Sequence, residues 1–250
     1  MKFLGAVVLC LFLTAAVDAG PPFNTDDPEP VDFQHWEIDF ASMLNHDSSG
    51  WSGTLPHVEI NYGALPNLHL HIITPLAFVT SRSGPSYYGY GDTELGVKYR
   101  FIKQGNYTPD VGVFPTMEVP TGNESRGLGA GHVQAYFPIW LQKDFGKWTT
   151  YGGGGFWLNP GVNNKDWGFV GWLLQRQITD HFALGAEVFH ETPKVVGGES
   201  NTFVNGGGTL DLSDTMHILV SVGHSIQGPR SYIGYFALQL TLGPKEKQGK

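Results

Sequence analysis

The chain has one cysteine, no long apolar run beyond its first twenty residues, and few charges for its 250 residues. Cys10 sits inside an apolar N-terminal stretch that export would remove, which leaves a mature chain with no thiol and no disulfide framework. A lipid-anchored cysteine needs a small-residue lipobox, and Val7-Val8-Leu9 stands before Cys10 instead. After that stretch Gly, Pro or a polar residue interrupts every apolar segment, well short of the roughly 18 to 20 residues that a membrane helix needs. Charged residues make up 15% of the chain, and the net charge of −8 comes without a basic stripe, so nucleic acid is excluded as a partner. The Gly-rich run from Tyr151 to Gly155 is too short for a linker, and no solenoid-type repeat is present, which leaves one domain with short tails.

What is present points to export. Lys2 supplies a positive n-region, 4–16 an apolar core, and Val17-Asp18-Ala19 a small-residue cleavage site, so residues 1–19 read as a signal peptide and Gly20 as the mature start. The full sequence is rich in Gly and aromatics, with 34 Gly and 13% Phe, Trp and Tyr, a profile typical of outer-membrane barrels.

The organising signal is period-two alternation. Trp36, Ile38, Phe40 and Leu44 interleave with Glu37, Asp39 and Ala41; Val58, Ile60 and Tyr62 with His57, Glu59 and Asn61; Leu68, Leu70 and Ile72 with His69 and His71. The cleanest case sets Thr93, Leu95, Val97, Tyr99 and Phe101 against Asp92, Glu94, Gly96, Lys98 and Arg100. Segments 111–119, 133–141, 148–158, 168–177, 182–190, 202–212, 216–225 and 232–242 continue the pattern, at lengths near the roughly 9 to 11 residues of a tilted membrane strand. Longer loops are expected near 46–54, 80–90, 121–130, 159–166 and 192–201, and shorter turns near 64–67, 103–108, 144–147, 178–181 and 212–215.

A soluble sandwich or lipocalin-like barrel would turn the apolar face into a core, and alternation alone does not separate the two. The polar set decides. Glu59, His69, His71, Glu94, Lys98, Arg100, Glu118 and Glu187 suit a wet lumen, and the opposite face is too aromatic for solvent. The expectation is an all-β fold, a closed antiparallel transmembrane β-barrel of about 12 strands in the bacterial outer membrane, its outward face against lipid. It comprises residues 34–242, after an extended periplasmic segment at 20–33 and before a polar tail at 243–250. Aromatics near strand ends suggest two girdles: Trp36, Tyr62, Phe101, Trp140, Trp148 and Trp172 by the short turns, and Trp51, Tyr87, Tyr88, Tyr90, Trp157, Trp167 and Tyr232 by the long loops.

The opening stretch, with Pro22, Phe23, Thr25, Asp26, Asp27, Pro28, Glu29 and Pro30 followed closely by His35-Trp36-Glu37, resembles the start of outer-membrane proteins of the MetA-pathway of phenol degradation family. The likeness continues through Gly91 to Phe101, Pro120 to Asn123 and Gly171 to Gln177. It implies a barrel channel for uptake of aromatic or other hydrophobic small molecules, and it implies no catalytic residue. The chain departs from common barrel practice in running past Leu242 into a polar tail with no terminal aromatic.

Two readings of the opening stretch stand. Pro28 and Pro30 stiffen a lead into the first strand, the favoured one, or the stretch enters the lumen as a plug with Asp26 and Asp27 on basic wall residues. Lys98 and Arg100 are expected to pair with Glu59, Glu94 or Glu118, as structural bridges or as a charged constriction for a small-molecule permeant. His57, Glu59, His69 and His71 share one hairpin face, which permits a metal, but pore wetting is the favoured reading and no metal or cofactor is assigned. A lipid hydrolase would need a Ser–His pair, whereas His224 and Ser225 are adjacent and point to opposite faces. Gly127 to Gly131 lacks the Lys of a phosphate loop and reads as an external loop. A structural or adhesive barrel with a packed lumen remains the other rival.

Overall fold

The computed structural model describes residues 22–244, so the signal-peptide reading and most of the polar tail lie outside the described residues. Twelve antiparallel strands close into a barrel. They are β1 (Trp36–His46), β2 (Trp51–Leu65), β3 (Leu68–Val79), β4 in two pieces (Tyr87–Tyr90 and Thr93–Ile102) and β5 in two pieces (Asp110–Val113 and Thr116–Val119). There follow β6 (Gln134–Phe145), β7 (Trp148–Leu158), β8 (Trp167–Thr179), β9 (Phe182–Glu191), β10 (Asn201–Ser213), β11 (Met216–Gln227) and β12 (Tyr232–Leu242).

Each strand pairs with its sequence neighbours, and β1 pairs with β12 from Trp36↔Leu242 to His46↔Tyr232. Closure satisfies the backbone around the wall, which is what a sheet in hydrocarbon requires, and the short piece Tyr87–Tyr90 pairs with β3 alone. Alternation then divides the side chains. Phe40, Leu70, Leu95, Tyr99, Trp172, Val220 and Phe236 are exposed on the outer wall, whereas Asp39, His71, Lys98, Glu187 and Ser221 are buried inside.

Several boundaries differ from the sequence expectation. The 46–54 loop shrinks to 47–50, because β2 begins at Trp51 and its bulge between Thr54 and His57 breaks the alternation. Tyr87–Tyr90 extends β4 upward into the expected 80–90 loop. Both β4 and β5 are interrupted at mid-wall. In β5 the break falls at Phe114 and Pro115, where proline has no N–H to give the ladder. In β4 it falls at Gly91 and Asp92. The Asp92 carboxylate leaves the strand pattern to accept hydrogen bonds from the Gly122 N–H (2.8 Å) and the Ala130 N–H (2.6 Å), tying the long 120–133 connection to the wall. Within that connection Glu124–Arg126 forms a 3₁₀ turn capped by Asn123, and Leu128 is buried.

Candidate functional site

The lumen is built from inward positions fixed by strand parity, and its two halves differ in chemistry. On β1 to β4 they carry Glu37, Asp39, His57, Glu59, Asn61, His69, His71, Glu94, Lys98 and Arg100. On β6 to β10 many are aromatic. Trp140, Phe169, Phe189 and Phe203 form a buried cluster, with Phe189 stacked on Phe203 (4.8 Å) and on Phe169 (5.5 Å). Above them Tyr136, Trp157 and Trp167 stack in series, with centroids 4.9 and 5.4 Å apart.

Trp140, Trp157 and Trp167 were expected in the girdles and instead belong to this inner wall, Trp140 with only 2% of its surface exposed. On β6 both faces are apolar, inward Tyr136 and Trp140 against outward Phe137, Ile139 and Leu141, so hydropathy could not choose between them.

The N-terminal segment runs across this lumen rather than leading away from the barrel. It enters at the end that carries the short turns, where the Gln34 N–H bonds to the Gly63 carbonyl and the Val31 N–H donates to His69 Nδ1 (3.0 Å). Lys98 Nζ lies 2.9 Å from Asp26 Oδ1 and 3.6 Å from Asp27 Oδ1, and Arg100 Nη1 lies 3.3 Å from Glu29 Oε1 and 3.4 Å from Asp110 Oδ1. These partners replace the expected Glu59, Glu94 and Glu118. Burial pushes the Asp27 carboxyl above its ordinary value, and the Lys98 ammonium beside it pulls the other way.

The segment then reaches the far wall. Glu187 accepts the Asn24 N–H (3.0 Å) and the Thr25 N–H (2.8 Å), while Asn205 Nδ2 donates to the same carboxylate (2.8 Å). The Ser221 hydroxyl donates to the Pro22 carbonyl. Two glycines make room for it: a Cβ at Gly171 would overlap the Thr25 hydroxyl, and one at Gly112 would come within 3.0 Å of Pro28. Pro28 and Pro30 fix the backbone of the strap and bar it from a helix, and it bends at 22–25 and at Pro28 as it crosses.

Beside the strap a cavity of about 410 Å³ remains, bordered by Glu37, Asp39, Glu59, His71 and Glu94 on one side and Tyr136, Trp140 and Trp157 on the other. His71 bonds through Nδ1 to Asn61 Oδ1 (2.7 Å) and through Nε2 to Glu94 Oε1 (3.0 Å), and Asn61 Nδ2 donates to Glu37 (3.1 Å) and Glu59 (2.9 Å). His57 bonds to Thr54 (2.7 Å) and His69 to the strap, so the hairpin histidines are divided among separate partners. Glu118 shares the inner face of β5 with Thr116, directly opposite Glu94.

Among the described residues, three carboxylates bring oxygens within 4.8 Å of one another: Glu29, Asp110 and Asp144. Arg100 contacts two of them, so a guanidinium already supplies the charge that an ion would bring. His224 Nδ1 faces the Ser225 carbonyl (2.9 Å), and Ser225 Oγ accepts the Ser231 N–H, so the two side chains make no nucleophile and base.

The closed twelve-stranded antiparallel barrel is a fold shared with solved outer-membrane channels and porins. The fold is similar to that of a COG4313 outer membrane channel from Pseudomonas putida F1, with a TM-score of 0.71 at 14% identity, covering 86% of this chain and 98% of that one. It is also similar to the KdgM porin in complex with disordered oligogalacturonate (TM-score 0.57, 9% identity, 82% and 98% covered) and to the NanC porin (0.56, 7%, 82% and 100%). No family model and no curated protein matches the chain.

Proposed function

We propose that this protein is an outer-membrane channel for passive passage of small aromatic or hydrophobic solutes, exported by residues 1–19 and gated by the strap at residues 22–31. The observation that carries this reading is the cavity of about 410 Å³ inside a closed barrel, one side aromatic and the other charged. An aromatic wall lowers the cost of stripping water from an apolar solute, while the charged wall keeps the bore wetted. The resemblance of the opening motif to the MetA-pathway family supports the same solute class.

Lys98 and Arg100 form the constriction together with Asp26, Asp27 and Glu29, so the charged ring belongs partly to the wall and partly to the strap. With an even strand count, the short turns and the start of β1 face the periplasm, as in other such barrels, and the strap enters from that side. The oligogalacturonate of the KdgM complex is a polyanion, and the carboxylates of β1 to β5 would repel it here.

The direct test is fractionation followed by solute flux. The mature protein is expected in outer membranes with heat-dependent gel mobility, and proteoliposomes are expected to admit phenyl β-glucoside, an uncharged aromatic that crosses lipid slowly, faster than protein-free vesicles. Recovery as a soluble protein, or flux equal to the control, would contradict the reading.

A further inference from the structure

The register places acidic side chains where like charges oppose one another. Asp39 lies opposite Glu59, Glu59 opposite Ile73, Ile73 opposite Glu94, and Glu94 opposite Glu118. Four carboxylates thus occupy one row that winds over β1 to β5. Directly opposed like charges destabilise a sheet unless something of opposite sign lies against them. The two basic side chains of this wall are taken, Lys98 by Asp26 and Asp27, Arg100 by Glu29 and Asp110. His71 reaches Glu94 and, at 3.5 Å, Glu59, and no other cation contacts the row among the described residues. Asp39 is 3% exposed, borders the cavity, and has an Oδ1 that makes no hydrogen bond.

A small metal ion does not suit the row. Neighbouring strands stand roughly 4.8 Å apart, so four carboxylates spread over five strands, with Ile73 of β3 between Glu59 and Glu94, are too far apart to converge on one ion. No three of them form a chelating group of the kind found at Glu29, Asp110 and Asp144. Across the cavity, Tyr136 ends a stack in which Trp157 is covered on one face by Tyr136 and on the other by Trp167, so the Tyr136 ring and the edge of Trp157 border the space, with Trp140 beside them. Aromatic faces attract cations and pack against flat apolar bodies.

Resting on the channel reading, we propose that the cavity selects organic monocations with an aromatic or apolar body, such as arylalkylammonium or quaternary ammonium compounds. The ammonium sits against the opposed Asp39 and Glu59, and the body lies on the Tyr136 ring against the edge of Trp157. A volume of about 410 Å³ falls within the roughly 300 to 1,000 Å³ of small-molecule sites.

Three probes that share a benzyl or phenyl body test the charge preference: benzyltrimethylammonium, benzyl alcohol and benzoate. Binding to the full chain in detergent is followed by tryptophan fluorescence, and block of single-channel current is followed in planar bilayers. The cation is expected to bind about tenfold or more tightly than the alcohol, with benzoate weakest. The pair Asp39→Asn and Glu59→Gln should bring cation and alcohol within about twofold of each other, with heat-dependent gel mobility reporting that the barrel still folds. Tyr136→Leu should weaken benzyltrimethylammonium more than tetramethylammonium. Equal binding of the three probes, or preference for benzoate, would overturn the proposal. Charge-selective binding without any ion current would retire the channel reading and leave the ligand class standing.

Discussion

Lys98 on the wall and Asp26 on the strap meet at 2.9 Å, although 72 positions separate them in the chain. Lys98 has only 5% of its surface exposed and Asp26 is half-buried, so this contact holds a buried ammonium against a partly screened carboxylate. Removing Lys98 strands the Asp26 and Asp27 carboxylates, and their partial exposure keeps the cost below the about 3 to 5 kcal/mol of a fully buried pair. Lys98→Met is therefore expected to release the strap while the barrel wall, whose ladder is untouched, stays folded. Single-channel recordings should show a larger and noisier conductance than the parent, and an unchanged conductance would detach the strap from gating.

Glu187 holds the far end of the strap, accepting backbone N–H groups of Asn24 and Thr25. Hydrogen bonds to a charged group contribute about 1.5 to 3 kcal/mol each. Glu187→Ala should therefore raise hydrogen exchange at those amides by one to two orders of magnitude, at about 1.4 kcal/mol per decade, while the β9 and β10 amides stay protected. Retained protection at Asn24 and Thr25 would show that Pro22 and Ser221 hold that end unaided.

Asp92 anchors the 120–133 connection through two backbone bonds. Losing the carboxylate leaves those N–H groups unpaired at a cost of about 1 to 3 kcal/mol each. Asp92→Ala should make the exposed Arg126 more susceptible to trypsin in intact vesicles, by about tenfold or more, with the barrel itself still resistant. An unchanged cleavage rate would mean that Leu128 packing alone holds the loop.

Much of this architecture is legible in the sequence, and the reason is geometric. Wherever one face is polar and the other aromatic, as from Asp92 to Phe101, period two gives strand, register face and membrane setting together. The reading fails where both faces are apolar, as around Trp140, and where a bulge or proline resets the parity, as at Thr54 to His57 and at Pro115. For the strap it leaves a lead and a plug open, and the plug, with Asp26 and Asp27 on a basic wall residue, is the one the structure has. Asp26, Asp27 and Glu29 announce a need for cations, but a local pattern carries no information on which distant Lys or Arg meets them. Glu187 likewise reads only as an inward acid, since its partners are backbone N–H groups that any sequence would offer.

The outer wall gives a test of the membrane setting. Val220 is exposed on β11 while its neighbours Leu219 and Ser221 are buried inside. Placing a basic residue on the lipid face near the midplane costs about 2 to 4 kcal/mol. Val220→Lys should reduce folding stability in lipid vesicles by that amount and leave channel conductance unaltered once the protein has folded. A neutral effect on stability would place this face in water.

Whether the strap closes a conducting bore decides how this barrel works. Single-channel conductance in planar bilayers, compared between the mature protein and a form lacking residues 22–30, measures this directly, because the deletion leaves the wall and the Asp32 to Gly63 contacts in place. The parent should conduct in small, interrupted steps and the deletion form in larger, steady ones. Equal conductance in the two forms, or no conductance in either, would contradict strap closure of a conducting bore.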